Sequence, residues 1–451
     1  MKATVRKSSL SGRILVPGSK SHTIRACIFA AFADGVSHIR KPLASADCVS
    51  AARCIRSFGA SVNMADDNSV WTVRSGRAAL HLPDNVLDVG NSGSSLYFLS
   101  PIAALFSGWS VFTGDESIRS RPVSHVIDAL RQLGAEAYAS RPGCDAPPLL
   151  IRGPMRAGSL VTDGRLSQYI SGVMMAAALM EGRTDITLTD PKEIPYLHMT
   201  RLWLESFGIP VEMDAACTHI SVSGPRSFAA FDRTIPSDWE AVAFPLVGGV
   251  LTDSDIVIED IDGSGSQGDD AIVAVLQELG ADIEWDRGAA ELRVRGGKKS
   301  RRGARLAVPV GAKEYRVNCS GFPDAVPILC VAACFTEGTV IIEDIGVCRR
   351  KETDRIAVMR CELQKLGADI EEGEDFIVIH GHSPYLADGS ANPDFALHGG
   401  ECACRGDHRV AMSLAVCGLA VGDVAVQGAD CCAVSFPDFF AAMAGIGAVF
   451  E

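Results

Sequence analysis

Six times along this chain a helix ends in the same way, with an apolar residue, a glycine, then Ala or Ile, and at once a strand-like alternation. The copies read CIRSFGASV, ALRQLGAEA, WLESFGIPV, VLQELGADI, ELQKLGADI and MAGIGAVFE, with their glycines at Gly59, Gly134, Gly208, Gly280, Gly367 and Gly447. Glycine accepts the left-handed conformation that lets a chain leave a helix and turn into a strand, so each copy is expected to be a helix C-cap. The intervals run from 72 to 87 residues. That exceeds solenoid repeats, so each copy predicts a small α/β subdomain and not a stacking blade.

A second signature recurs once per interval: a polar or Gly-rich turn followed by an apolar helix. The starts are GSKSHTIR, GNSGSS, RLSQYIS, PSDWEA, GFPDAVP and GDHRVAM. Five of the helices are expected to stop at Gly35, Gly108, Gly182, Gly338 and Gly422, and the fourth near Asp253. Ser, Asn and Asp at these starts are good N-caps for a first turn that leaves backbone N–H groups unpaired. One such start means only a core helix. Six together would suit phosphate or carboxylate ligands, because helix N-termini favour negative charge.

At 451 residues the chain is expected to form two domains around a large core. Apolar residues make up 47% and aromatics 6%, which favours aliphatic helix-on-sheet packing and an α/β class. A net charge of −13 excludes a polyanion such as nucleic acid as partner, since that binding needs a basic surface. Anionic small molecules must then meet local basic clusters. Fifteen Cys without paired spacings, behind a start that shows no apolar signal region, predict free thiols in the cytoplasm. Gly90 to Gly114 carries no charge but is broken by Pro101, Gly108 and several Ser, so a buried segment is expected and not a membrane span. Cys402, Cys404, His408, Cys431 and Cys432 match no standard zinc spacing, and core thiols are the simpler account.

Four basic elements stand out. Pro17 to Arg25 joins a turn to a helix start and sets Lys20, Ser21 and Arg25 on adjacent turns, a set suited to phosphate and carboxylate oxygens. It lacks the spaced glycines of a Walker A loop. The others are Arg119-Ser120-Arg121-Pro122, the run Arg349 to Arg355, and Asp407-His408-Arg409. A solvated loop or a salt-bridged surface helix would explain the second and third equally well in isolation. In the run, Lys351 and Arg355 are expected four apart on one helical face. Asp324 and Glu352 are the acid/base candidates; Asp324 also fits a plain N-cap, and Glu352 among cations would ordinarily lose its proton readily.

PGSKSHTIR, GNSG, GDESIRSRP, LSQ, FPDA, RKETDR, GDHRVAM and the terminal SFPDFF occur in the order found in the EPSP synthases (3-phosphoshikimate 1-carboxyvinyltransferases), and the chain resembles that family over essentially its whole length. The resemblance implies a two-domain inverse α/β barrel of six βαβαββ repeats, three per domain. Residues 1–18 plus 236–451 would form one domain and 19–235 the other, with hinges near 17–19 and 234–238. It implies transfer of the enolpyruvyl group of phosphoenolpyruvate to the 5-hydroxyl of shikimate 3-phosphate by a cytoplasmic monomer, with no metal or organic cofactor and no nucleic-acid or membrane partner.

By the same resemblance Lys20, Gly93, Arg121, Arg355 and Arg409 would contact phosphoenolpyruvate, and Ser21, Arg25, Ser167, Gln168, Tyr196, Asp324 and Lys351 the acceptor. Asp324, with Lys20, would take the proton of the acceptor hydroxyl, and Glu352 would protonate the methylene carbon. Transfer to UDP-N-acetylglucosamine fits less well, since Lys20 is followed by Ser21 and not Asn, and Gly114 to Pro122 holds no Cys. A catalytically dead binding protein fits poorly with three retained acid/base groups.

Several positions depart from the family pattern: Tyr97 and Phe98 after the GNSG turn, Val347, Val434, Leu166 in place of a phosphate-binding Ser, and Glu193 in place of another. A carboxylate and an isobutyl group cannot replace hydroxyl donors. Arg165 is therefore expected to supply the lost phosphate contact. The same departures keep open a different cyclic alcohol as acceptor, or phosphate elimination from one.

Overall fold

Strands in this chain alternate buried with more accessible residues, as over residues 70–74, whereas half of its helices are buried on nearly every side. The computed structural model describes all 451 residues and divides them by their contacts into two compact units, Gly18–Pro236 and Met1–Pro17 with Ser237–Glu451. The unit Gly18–Pro236 contains helices α1 (Lys20–Phe32), α2 (Ala46–Ser57), α3 (Gly93–Ala103), α4 (Ser124–Gln132), α5 (Ser167–Ala177) and α6 (Ile194–Glu205). The other contains α7 (Trp239–Leu251), α8 (Ala271–Glu278), α9 (Val326–Cys334), α10 (Arg355–Lys365), α11 (His408–Val421) and α12 (Phe439–Gly445).

Burial separates these helices into two kinds. Every residue of α1, α3, α7 and α9 is buried, as is all of α5 except Gln168 and all of α11 through Leu419. An all-round apolar helix is stable only inside a core. By contrast, α2, α4 and α8 each bury one stripe, for α8 the residues Ile272, Val273, Val275 and Leu276.

Six mixed sheets carry these helices, three in each unit. In Gly18–Pro236 one sheet shows the pattern plainly: Ser159–Thr162 runs parallel to Gly182–Leu188, which pairs antiparallel with His219–Gly224, and Val211–Met213 completes the edge. In the other unit the first strand, Lys2–Arg6, is antiparallel to Val424–Gln427 with Lys2 opposite Gln427, so the two ends of the sequence close one sheet. Ser11–Leu15 lies parallel to Asp255–Glu259 in a second.

All six repeat glycines have positive φ, from 74° at Gly208 to 107° at Gly447. The hydrogen bonds around them are the same each time. Gly59 N–H bonds Arg56 C=O and Ala60 N–H bonds Ile55 C=O, and the equivalent pairs recur at Gly134, Gly208, Gly280, Gly367 and Gly447. This is the Schellman arrangement, which satisfies carbonyls a helix end leaves open.

The expected helix stops fare differently. Only Gly422 caps a helix; Gly108 and Gly182 open strands, and Gly35 and Gly338 lie inside them. There they pair across the sheet with Ser75, Gly153, Gly224 and Gly381, the last three of which lie against backbone carbonyls. The helices themselves stop three to five residues earlier.

Helices α3 and α5 pack closely at Gly172, where a Cβ would stand 2.6 Å from Tyr97 O and 3.0 Å from Phe98 Cα. Gly172→Ala is expected to lower stability by about 1–3 kcal/mol through this overpacking. A urea midpoint unchanged from the native protein would contradict it.

Candidate functional site

Buried arginines are rare because desolvating a guanidinium is unfavourable unless hydrogen bonds and charges compensate. Among the largest fully buried side chains of this protein are Arg25, Arg355 and Arg409. Each sits in the first turns of a helix, and all three were singled out from sequence.

In Gly18–Pro236 the starts of α1, α3 and α5 lie together. Ser19 caps α1 by accepting from His22 N–H, and Ser92 caps α3 by accepting from Ser95 N–H. Lys20 and Ser21 open α1, both nearly buried, with Lys20 Nζ 3.7 Å from Asp47 of α2. Arg25, one turn on, donates to Thr200 Oγ1 at 2.9 Å, Tyr196 O at 3.1 Å, Ser21 O at 3.1 Å and Ser171 Oγ at 3.4 Å, with the Phe98 ring 4.7 Å away. Its partners are all neutral. Burial pulls this guanidinium down to about 9, against which only Tyr196 acts. An anion placed beside it would reverse that shift.

Gly93 opens α3 with the guanidinium of Arg121 directly against it, so that any Cβ would collide with Arg121 Nη1. The space Gly93 leaves is therefore used by Arg121. Tyr97 explains itself in the same corner: its hydroxyl donates to Pro122 O at 2.8 Å and its ring lies 5.3 Å from His125, tying the Arg121 loop to α3. Gln168 Nε2 reaches Ser94 Oγ at 3.2 Å, joining α5 to α3. Tyr196, on α6, is 8% exposed.

The start of α5 differs from the others. Leu166 at its N-cap offers no side-chain acceptor. Instead the carboxylate of Glu193 accepts from Ser167 N–H at 3.0 Å and from Ser167 Oγ at 2.8 Å. Glu193 is 2% exposed and holds a left-handed backbone, φ 52°, which for a residue with a Cβ costs roughly 1–2 kcal/mol. Arg165, expected at a phosphate, is joined here to a neighbouring loop. Its Nε bonds Asp190 at 2.9 Å and its side chain is 56% exposed. Arg165 thereby fastens the loop that carries Glu193.

In the other unit the starts of α7, α9, α10 and α11 share one ionic network. Asp324 lies in the turn Pro323–Ala325 before α9, and it does not cap that helix. Its carboxylate meets Arg355 Nη1, Arg409 Nε at 3.1 Å and Lys351 Nζ at 3.7 Å. Arg355 also donates to Glu352 at 2.7 Å and Asp407 at 2.8 Å, and Arg409 pairs with Glu240. Burial opposes the charge of Arg355, but Asp407, Glu352 and Asp324 outweigh it and hold its pKa well above the ordinary value. Lys351 and Arg355 do not share a helical face, because 346–350 is a 3-10 turn, 351–354 is irregular and α10 starts only at Arg355. The bend is what lets both reach Asp324.

Asp407 and Glu240 were not among the sequence candidates. Asp407 caps α11 by accepting from Arg409 N–H and Val410 N–H, and Asp238 caps α7 with Glu240 in its first turn. For Asp407 the available signal was an acid two residues before Arg409 in a helix start; for Glu240 it was a second acid just after the cap Asp238. Cys404 and Cys431 stand in thiol contact, 3.6 Å between sulfurs, and Cys402 donates to Glu362 O.

The EPSP synthase (3-phosphoshikimate 1-carboxyvinyltransferase) family model matches residues 5–443. The 3-phosphoshikimate 1-carboxyvinyltransferase of Ruminiclostridium cellulolyticum is 35% identical over 448 residues, covering 99% of each chain. That of Halobacterium salinarum is 37% identical over 455 residues, again 99% of each. An EPSP synthase from Acinetobacter baumannii superposes with a TM-score of 0.79 at 26% identity, covering 100% of this chain and 99% of its own. The enolpyruvyl transferase NikO from Streptomyces tendae superposes at 0.77 with 17% identity, covering 100% and 98%, which is likeness of fold.

Arg355→Met would leave Asp407, Glu352 and Asp324 without their shared cation. A stability loss of about 3–5 kcal/mol is expected, as for any buried ion pair deprived of one partner. Equilibrium denaturation measures it, and a loss under about 1 kcal/mol would mean the network contributes no more than exposed pairs do.

Proposed function

The chain belongs to the EPSP synthase family and catalyses its enolpyruvyl transfer step in the shikimate pathway, and from that premise we propose how its own residues carry the reaction. The enolpyruvyl group of phosphoenolpyruvate passes to the 5-hydroxyl of shikimate 3-phosphate, and phosphate leaves. The observation that best supports the assignment is the meeting of Arg355 and Arg409 on Asp324 at the starts of buried helices.

Asp324 takes the proton of the attacking hydroxyl, with Lys20 as its partner in that step. Lys351, Arg355 and Arg409 surround that carboxylate and hold it in place. Glu352 delivers a proton to C3 of phosphoenolpyruvate, which makes C2 electrophilic. The hydroxyl oxygen then bonds to C2 and gives a tetrahedral intermediate. Glu352, now a carboxylate, takes a proton back from the new methyl group as the bond from C2 to the phosphate oxygen breaks, which releases phosphate and restores the vinyl group.

Lys20, Arg121, Arg355 and Arg409 bind the phosphate and carboxylate of phosphoenolpyruvate, where forked guanidinium donors fit both groups. Gly93 serves that set by admitting the Arg121 guanidinium. Ser21, Arg25, Ser167, Gln168, Tyr196 and Lys351 contact the acceptor. Arg25 suits an anionic group because it is buried among neutral partners.

The two units are proposed to be the family's two domains, an inverse α/β barrel of six βαβαββ repeats, a reading supported by six sheets and six equivalent helix ends. Fifteen free thiols support a cytoplasmic setting.

Phosphate release from phosphoenolpyruvate and shikimate 3-phosphate tests the proposal, and a native protein without turnover on that pair would refute it. Asp324→Asn and Glu352→Gln are each expected to lower kcat by about 100- to 10,000-fold, the usual range for removing a general acid or base. Rates within a few-fold of native would remove these residues from the proton transfers.

A further inference from the structure

Glu193 presents a carboxylate to the donors at the start of α5. Its Oε2 accepts from both Ser167 N–H and Ser167 Oγ, the two donors that an oxyanion bound at Ser167 would need. Leu166 beside them supplies no further donor. The loop that carries Glu193 is fastened on several sides: Thr189 N–H bonds Thr162 O at 3.1 Å, Lys192 N–H bonds Gly164 O at 3.0 Å, and Arg165 Nε bonds Asp190. Gly164 has backbone so close that a Cβ would stand 2.6 Å from Pro191 Cα. Glu193 is thus held at Ser167 by the fold and does not drift there from solvent.

We infer that Glu193 is a specificity-determining residue: a resident anion at Ser167 that discriminates against an acceptor bearing phosphate there and favours one bearing a neutral hydroxyl. The inference rests on the reading of Ser167 as an acceptor contact. A phosphate oxygen at Ser167 must displace the carboxylate or lie against it, like charge on like charge. A hydroxyl instead finds a hydrogen-bond acceptor already in place. The native protein therefore binds shikimate 3-phosphate weakly for its family and does not prefer it over unphosphorylated shikimate.

Calorimetry with both acceptors, on the native protein, Glu193→Ser and Glu193→Gln, tests the inference. Glu193→Ser, which frees the Ser167 donors and removes the charge, is expected to tighten shikimate 3-phosphate by about 10-fold or more, as removal of a like charge at a desolvated contact should. Shikimate should bind the same or more weakly. Glu193→Gln, neutral and of the same size, should fall between native and Ser. In steady state the change should appear in the acceptor KM while the phosphoenolpyruvate KM stays within about 2-fold, a split that general loosening of the fold would not give. If neither variant binds shikimate 3-phosphate more tightly than the native protein, the inference is overturned; if only one of them folds, that one decides. Turnover is a separate arm. A native protein that never releases phosphate with shikimate 3-phosphate refutes the proposed function, while the calorimetric ratio still decides the role of Glu193.

Discussion

A helix buried on every side has no water at its first turn, so the N–H groups that lack helical partners must find acceptors within the protein or in a ligand. This chain buries six such helices, and the consequences run through everything else in the structure. Ser19, Ser92, Asp238 and Asp407 meet the demand with their own side chains. At α5 the cap position is Leu166, and the demand is met from a distance by Glu193. The same positive helix ends that tolerate acidic caps also welcome substrate anions.

Acidic caps bring charge into the core, and charge in the core must be balanced. Asp407 is fully buried and would be unfavourable alone; Arg355 balances it and in doing so is drawn within reach of Glu352 and Asp324. The carboxylates proposed for the proton transfers are thus positioned as a by-product of capping and its neutralisation. Arg25 follows the other course. Its guanidinium is solvated by hydroxyls, carbonyls and an aromatic face, which satisfies its hydrogen bonds and leaves its charge for an anion to answer.

Legibility in the sequence tracked locality. The six helix ends could be found because a Schellman cap needs glycine at one place and apolar residues at fixed offsets, all within a few residues. The basic helix starts were visible for the same reason. Gly35, Gly108, Gly182 and Gly338 misled because a positive-φ glycine serves equally to end a helix or to cross another backbone in a sheet, and only the partner strand separates the two. Lys351 and Arg355 look helical by spacing, yet Lys351 follows a 3-10 turn and an irregular stretch separates it from the helix that Arg355 opens, and both side chains reach one carboxylate.

The sequence by itself determined the repeat, its α/β character, the family resemblance and the identity of most charged groups at the helix starts, because each depends on residues near one another in the chain. Tertiary structure alone decided which charges answer which. Arg165 turned to Asp190, Tyr97 to the carbonyl of Pro122, Arg409 to Glu240, and Glu193 to a serine 26 positions earlier. An ionic or hydrogen-bond partner is chosen by distance in space after the sheets have formed, and no spacing along the chain encodes that distance.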